Sequence, residues 1–331
     1  MPERYSTRTD GDAVVLGDAA RSAEARIAPG CGNNVTHFRT TPAAGGEPDE
    51  VFLSGALGGS GYGAGNPILF PFPNRVKGGT YTFEGRSYQL NINETARGNH
   101  IHGLVSSRAW RTDGTGASAH EGAWHRASFR LDSDPEVVRQ YPFPCTIEVT
   151  TRLRDGVLEQ VTVVRNTGPT NLPMGYGTHP WYRASLGQPR EKTEVKVPGK
   201  RYWKLENLVP TGETVDVTTD AAKFDLRAWH ALDGNEYDDV FTELVRRSDG
   251  WSEAGIRFPE SGTQIIMEAS PEFRHWVIFA PLNRPVICLE PYTGTTNAVN
   301  LQNEGVDAGL EVVAPGQSWT GTIRTLVRRE A

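Results

Sequence analysis

Apolar and polar residues alternate along most of this chain. The pattern is clearest at residues 81–84, 127–131, 146–153, 158–164, 194–197, 264–268 and 276–279, where β-branched and aromatic types predominate. A period of two marks strands that bury one face. Between these runs, 36 glycines and 22 prolines fall at short intervals instead of collecting in one linker, and so divide the chain into many short elements. Hairpins are predicted at Gly85, between Phe83 and Tyr88, and at Asp155-Gly156, between Leu153 and Leu158. Helical candidates are few; residues 221–232 offer one or two turns. Repeats of the solenoid or propeller kind are absent, and composition shifts at no point. The prediction is an all-β chain, one large antiparallel β-sandwich or barrel-like domain over residues 1–331, with the first ~20 residues at its periphery.

Composition narrows the function classes. A net charge of -6 over 331 residues, without a long basic block, gives nucleic acid no electrostatic footing. The polar amino terminus and the lack of any apolar run of about 18 residues predict a soluble, cytoplasmic protein without a membrane partner. Cys31, Cys145 and Cys288 are too scattered for a disulfide framework or a Cys-x-x-Cys metal site, and read as buried thiols. The oligomeric expectation is a monomer or homodimer.

Four segments carry candidate chemistry. Residues 67–105 place Asn74 and Arg75 in a proline-rich turn, then a hairpin, then His100 and His102. On a strand the two histidines would share a face, which suits a polar site or, with further donors, a metal. In residues 173–183, Pro180 holds His179 extended, and Gly175 and Gly177 permit close backbone approach. Trp181 and Tyr182 beside it offer a sugar an apolar face and a hydroxyl, although core packing is the alternative, more for Trp181 than for Tyr182. In residues 285–298, Glu290 ends an apolar run and precedes Pro291; a carboxylate there must be paired, hydrogen-bonded or titrate high. It is either a reacting group or a structural acceptor at a strand end. Asp238 and Asp239 are adjacent, so only one of them would face inward from a strand.

Taken in order, NPILFPFPNRVKGGTYTFEG, NHIHGLV, GYGTHPWYR, DDVF and CLEPYTGTTNA resemble the aldose 1-epimerase (galactose mutarotase) family from about Ala25 to Leu326. The resemblance implies the galactose mutarotase-like supersandwich fold and anomer interconversion of an aldohexose, a small-molecule substrate, without cofactor or metal. By the same resemblance Glu290 is the general base, His179 the general acid and His102 a second catalytic histidine. Arg75 and Asp238 contact the sugar, with Asp239 the alternative to Asp238; Asn74 and Tyr182, from their own segments, are further candidates for sugar contact. At neutral pH the chemistry asks for an ionised Glu290 and a protonated His179. His102-Gly103-Leu104 stands where many members have His-Gly-Gly, and PFPNR is typical of a divergent bacterial branch, so the preferred sugar stays open. A hexose 6-phosphate epimerase would need basic residues at the rim, for which Arg97, Arg108 and Arg183 are available. Two other readings remain: a catalytically silent carbohydrate-binding protein of the same fold, and a metal site built from His100, His102, His179 and Glu290.

Overall fold

The computed structural model describes residues 3–42, 45–54 and 63–330. Strands dominate, and the alternating segments fold as their pattern predicts. Cys145–Arg154 buries Cys145, Ile147, Val149, Thr151 and Leu153 and leaves the residues between them at the surface. Each fully buried aliphatic side chain in such a row contributes about 1.5–3 kcal/mol. This strand pairs with Val157–Asn166 in unbroken antiparallel register from Arg154↔Val157 to Cys145↔Asn166. Asp155 and Gly156 both take positive φ, 53° and 73°, so the turn is of the tight type that matches strand twist. Thr80–Phe83 and Arg86–Gln89 form the second predicted hairpin.

Among the described residues two large antiparallel sheets form, one of nine strands and one of eight. At the centre of the larger sheet lie Cys145–Arg154, Val157–Asn166, Ser318–Arg329 and Thr263–Ala269; at the centre of the smaller lie Tyr237–Leu244, His275–Ala280 and Val286–Tyr292. Their inner faces share one apolar core in which Trp276, Ile278, Ile287 and Leu289 of the smaller sheet join Ile147, Val149, Ile256 and Met267 of the larger. Polar contacts also cross it: the Trp276 indole donates to Ser252 Oγ at 3.0 Å, and Thr162 Oγ1 donates to the Tyr176 hydroxyl at 2.8 Å.

Alternation along Val286–Tyr292 then decides the site. Ile287 and Leu289 enter the core, so Cys288, Glu290 and Tyr292 project from the opposite face.

Near the amino terminus, Tyr5–Asp10 and Ala13–Asp18 open a five-stranded meander in which Val15 and Leu16 are fully buried. Residues 221–232 hold one helical turn at their start, in Ala221–Phe224, as their pattern predicts, and His230–Ala231 joins the edge of the nine-stranded sheet. Pro135–Gln140 and Ala298–Asn303 add two short helices, the first capped by Asp134 Oδ1, which accepts from the backbone N–H groups of Glu136 and Val137. Among the described residues, no helix is long and apolar enough to cross a membrane.

Candidate active site

On the outer face of the eight-stranded sheet, two loop segments converge over Val286–Tyr292. Gly177–Thr178 and Trp181–Arg183 each pair with that strand, so the intervening His179 is delivered beside Glu290. Its backbone N–H donates to Pro67 O at 3.0 Å, and its ring stacks on Trp181 at 4.8 Å and 13°. Nε2 of His179 lies 3.5 Å from Oε1 of Glu290, and both residues are buried. The other carboxylate oxygen of Glu290 accepts from the Tyr292 hydroxyl.

The second segment supplies His102 and Arg75. Arg75–Val76 pairs with His100–Ile101, after which His102 turns to φ 66° and leaves the strand. That turn is fixed by the His102 N–H donating to Asn74 O at 2.9 Å and by Gly103, where a Cβ would lie 2.2 Å from Phe70 O. The His102 ring meets His179 edge-on at 5.0 Å. Asn74 Oδ1 accepts from Arg75 Nη1 at 3.0 Å, Glu94 holds Arg75 Nε at 3.1 Å, and Asp238 Oδ2 stands 3.7 Å from Nη2. The guanidinium is thus clamped between two carboxylates.

These groups line one cavity of about 160 Å³, bounded by Asn74, Arg75, His102, His179, Asp238 and Glu290, with Trp181 and Phe279 as apolar walls. It adjoins a basin of about 830 Å³ and shares Arg75, Asp238, Phe279 and Arg284 with it. The smaller space suits one pyranose ring.

Burial sets the proton balance. It drives His179 down to about 3, helped by the positive charges of Arg284 and Arg75. It drives Glu290 well up, opposed by the Tyr292 hydrogen bond and by Arg75. Burial therefore pulls the pair toward neutral imidazole and neutral acid, not toward the ionised Glu290 and protonated His179 that the sequence reading asks for. Asp238 is also raised by burial, with Arg75 opposing.

The sequence profile of the aldose 1-epimerase family matches residues 31–325. The chain belongs to that family. The uncharacterized protein YphB of Escherichia coli is 27% identical over 265 residues, covering 76% of this chain and 80% of YphB. Among solved structures, a galactose mutarotase-like protein from Clostridium acetobutylicum superposes with a TM-score of 0.85 at 21% identity, over 98% of both chains. Galactose 1-epimerase from Lactobacillus acidophilus gives 0.73 at 14% identity, over 99% of this chain and 98% of the other. Both likenesses concern the fold.

Within this epimerase fold, Glu290, His179, His102, Arg75, Asn74 and Asp238 come together at the cavity. Asp239 does not; it lines only the outer basin, with its carboxylate 4.0 Å from Lys223 Nζ. Tyr182 is a correction: strand alternation sends it into the core, where its hydroxyl meets Met267 Sδ at 3.9 Å, and Trp181 takes the cavity wall. The His-x-His pair also divides, because the left-handed turn at His102 ends the alternation. His100 Nδ1 and Nε2 face the carbonyls of Asn91 and Gly103 at 2.8 and 3.2 Å, in a separate recess. That removes His100 from the four-residue metal set. Among the described residues the donors that cluster are His179, Cys288 and Glu290, within 4.8 Å of one another.

Of the rim arginines, Arg108 pairs with Asp134 at 2.8 Å beside the His100 recess, and Arg183 lies 3.6 Å from Glu50 on the surface. Only Arg97 borders the basin, and Glu94 engages it at 3.2 Å. The sequence reading missed Glu94, Phe279, Arg284 and Tyr292. Arg284, 4.7 Å from the Trp181 ring centroid, carried no motif. Tyr292 did carry a signal, since it stands two residues from Glu290 on the same strand.

Proposed function

We propose that the protein is an aldose 1-epimerase that interconverts the α and β anomers of a neutral aldohexose by acid/base ring opening and reclosure. The observation that carries this reading is the 3.5 Å approach of His179 Nε2 to Glu290 Oε1 on the wall of a cavity sized for one sugar. Glu290 takes the O1 proton as the C1–O1 double bond forms. The C1–O5 bond breaks with its electron pair going to O5, and O5 takes a proton from His179. After rotation about C1–C2, O5 attacks the other face of C1. His179 recovers its proton, and Glu290 returns one to O1.

Opening moves the pair from carboxylate and imidazolium to acid and neutral imidazole, the state that burial favours at this site. The cavity thereby stabilises the open-chain stage. Tyr292 and Arg75 act the other way and keep the ionised carboxylate within reach, so that the cycle restarts. Each acid/base group is asked for roughly 10²–10⁴-fold acceleration. Arg75 and Asp238 are placed to bond ring hydroxyls, and Trp181 and Phe279 to pack on the apolar sugar face. The chemistry requires no cofactor.

Polarimetry of freshly dissolved α-D-glucose and α-D-galactose tests it. Faster decay of rotation with protein, lost in His179→Ala, is the expected result. Sugar binding without acceleration would establish the silent carbohydrate-binding alternative; acceleration confined to hexose 6-phosphates would shift the substrate to the charged branch.

A further inference from the structure

The Glu290 carboxylate has two oxygens and one task, so something must decide which oxygen faces the reaction. We propose that Tyr292 is a positioning residue for Glu290: its buried hydroxyl donates to Oε2 and leaves Oε1 aimed at His179 and the cavity. This inference rests on the proposed epimerase reading and adds a residue that touches neither sugar nor reacting atoms.

Several features fix the arrangement. Tyr292 is fully buried, and its ring packs among Leu69, Trp203, Val240 and Val277 on the outer face of the sheet. From there the hydroxyl reaches back along its own strand to a carboxylate two residues away. Space for the ring comes from Gly177, its register partner, where a Cβ would fall 2.3 Å from Tyr292 Cδ1. The same short segment that yields to the tyrosine ring delivers His179 two residues later. Base and acid are therefore set by one contact between two chain segments. Pro291, between Glu290 and Tyr292, holds Glu290 extended and keeps both side chains on one face.

The groups facing Glu290 define what the hydroxyl contributes. His179 and Arg75 approach from the two loop segments, Asp238 from the neighbouring strands and Cys288 from its own strand. Asp238 and burial work against the ionised carboxylate, while Arg75 and the Tyr292 O–H favour it. Removing a donor to a buried carboxylate raises its pKa, by about one to two pH units for a charge-assisted hydrogen bond.

The test is Tyr292→Phe, which keeps the ring. Two readouts are needed: the pH profile of kcat/KM for the better aldose, and a ¹³C NMR titration of the Glu290 carboxyl, assigned by its disappearance in Glu290→Gln. We expect the acid limb and the titration midpoint to rise together by about one to two units, with kcat falling about tenfold or more and KM nearly unchanged. In the Glu290→Gln background, Tyr292→Phe should cost no further activity. A tyrosine that only packs would alter thermal stability and move neither midpoint, and that result overturns the proposal. The NMR titration reads the positioning even if wild type accelerates no aldose, so failure of the epimerase reading is distinguishable from failure of this one.

Discussion

Each large sheet turns one face to the shared core, and the two remaining faces treat charge in opposite ways. On the nine-stranded sheet, Arg324 sits directly across from Glu159 on one side and Glu268 on the other. Glu159 accepts from Arg324 at 2.9 Å and lies 3.5 Å from Arg152, Lys196 meets Glu253 at 2.6 Å, and Arg247 meets Glu268 at 2.6 Å. These groups have cross-strand partners, and most of their arginines and lysines reach solvent. On the eight-stranded sheet, Glu290, His179 and His102 are buried under loops, and burial displaces all three from their usual pKa values. The same alternation rule places both sets. A paired charge in water has little left to do, whereas a dehydrated carboxyl beside a dehydrated imidazole is poised to exchange protons.

The largest effect should therefore fall on the loop-covered face. Glu290→Gln preserves shape and the Tyr292 contact but removes the proposed base, and kcat for anomer interconversion should drop by about 10³-fold, within the span of general-base contributions. Thermal melting should move little, because Glu290 is already pulled toward its neutral form. A variant that unfolds, or one that turns over normally, would place Glu290 among the structural acceptors of strand ends.

Burial alone is not the criterion, as His125 shows. It lies on the core-facing side of Gly122–Arg130, fully buried, with Nε2 3.2 Å from Thr112 Oγ1, and burial lowers it to about 4, much as at His179. It lines neither the candidate cavity nor the adjoining basin, and the nearby negative charge of Asp113 only partly offsets its burial. Its folded pKa is depressed below the ordinary 6.5, so its stabilising contribution is complete above pH 6.5 and is lost as pH falls through about 4. The shift corresponds to at most about 3 kcal/mol. Urea titrations between pH 7 and 4 should show stability falling for wild type and a flatter profile for His125→Gln, with epimerase activity at pH 7 unaffected. An equal slope in both would mean that other groups, such as His275, carry the acid sensitivity.

How much of this was legible follows the same division. Strands such as Cys145–Arg154 were plain because one face is apolar and the other polar, and the Asp155-Gly156 turn because its positive φ angles favour these residue types. Glu290 and His179 stood out by the proline after each, which fixes an extended backbone, but their roles were readable only through the family resemblance. The exchange of Trp181 for Tyr182 was not. Both belong to an aromatic pair flanked by buried strands, and only the register Trp181↔Cys288 tells which one faces out. The divergence of His100 and His102 depended on one left-handed residue, and non-glycine positive φ has no reliable mark in sequence. Tyr292 was readable in principle, since period two from Glu290 predicts its face. The six-residue helix at Pro135–Gln140 is too short for a helical period to stand out in the sequence.

The turn that separates the two histidines yields a smaller prediction. Gly103 takes φ 69°, and a methyl group there would meet Phe70 O at 2.2 Å. Gly103→Ala should destabilise by about 2 kcal/mol, through left-handed strain and backbone displacement. Because that displacement moves His102 relative to His179, activity should fall as well, which paired denaturation and polarimetry would record. Full activity at reduced stability would remove His102 from the catalytic set and sharpen the contrast around Glu290 and His179 alone.

The smallest effect belongs to the solvent-facing ladder. Glu159→Gln removes the partner shared by Arg152 and Arg324, yet exposed cross-strand pairs are each worth about 0.2–1 kcal/mol and are screened by salt. Melting curves at low ionic strength should shift by no more than that. At 1 M salt, where the Debye length is about 3 Å, the difference from wild type should vanish, and activity should be unchanged at every ionic strength. A loss well above 1 kcal/mol that persists in salt would mean that Glu159, Arg324, Glu268 and Arg247 act as one cooperative network. The nine-stranded face would then be a structural device in its own right, and pairing with solvent contact would no longer separate the two faces as cleanly as burial does.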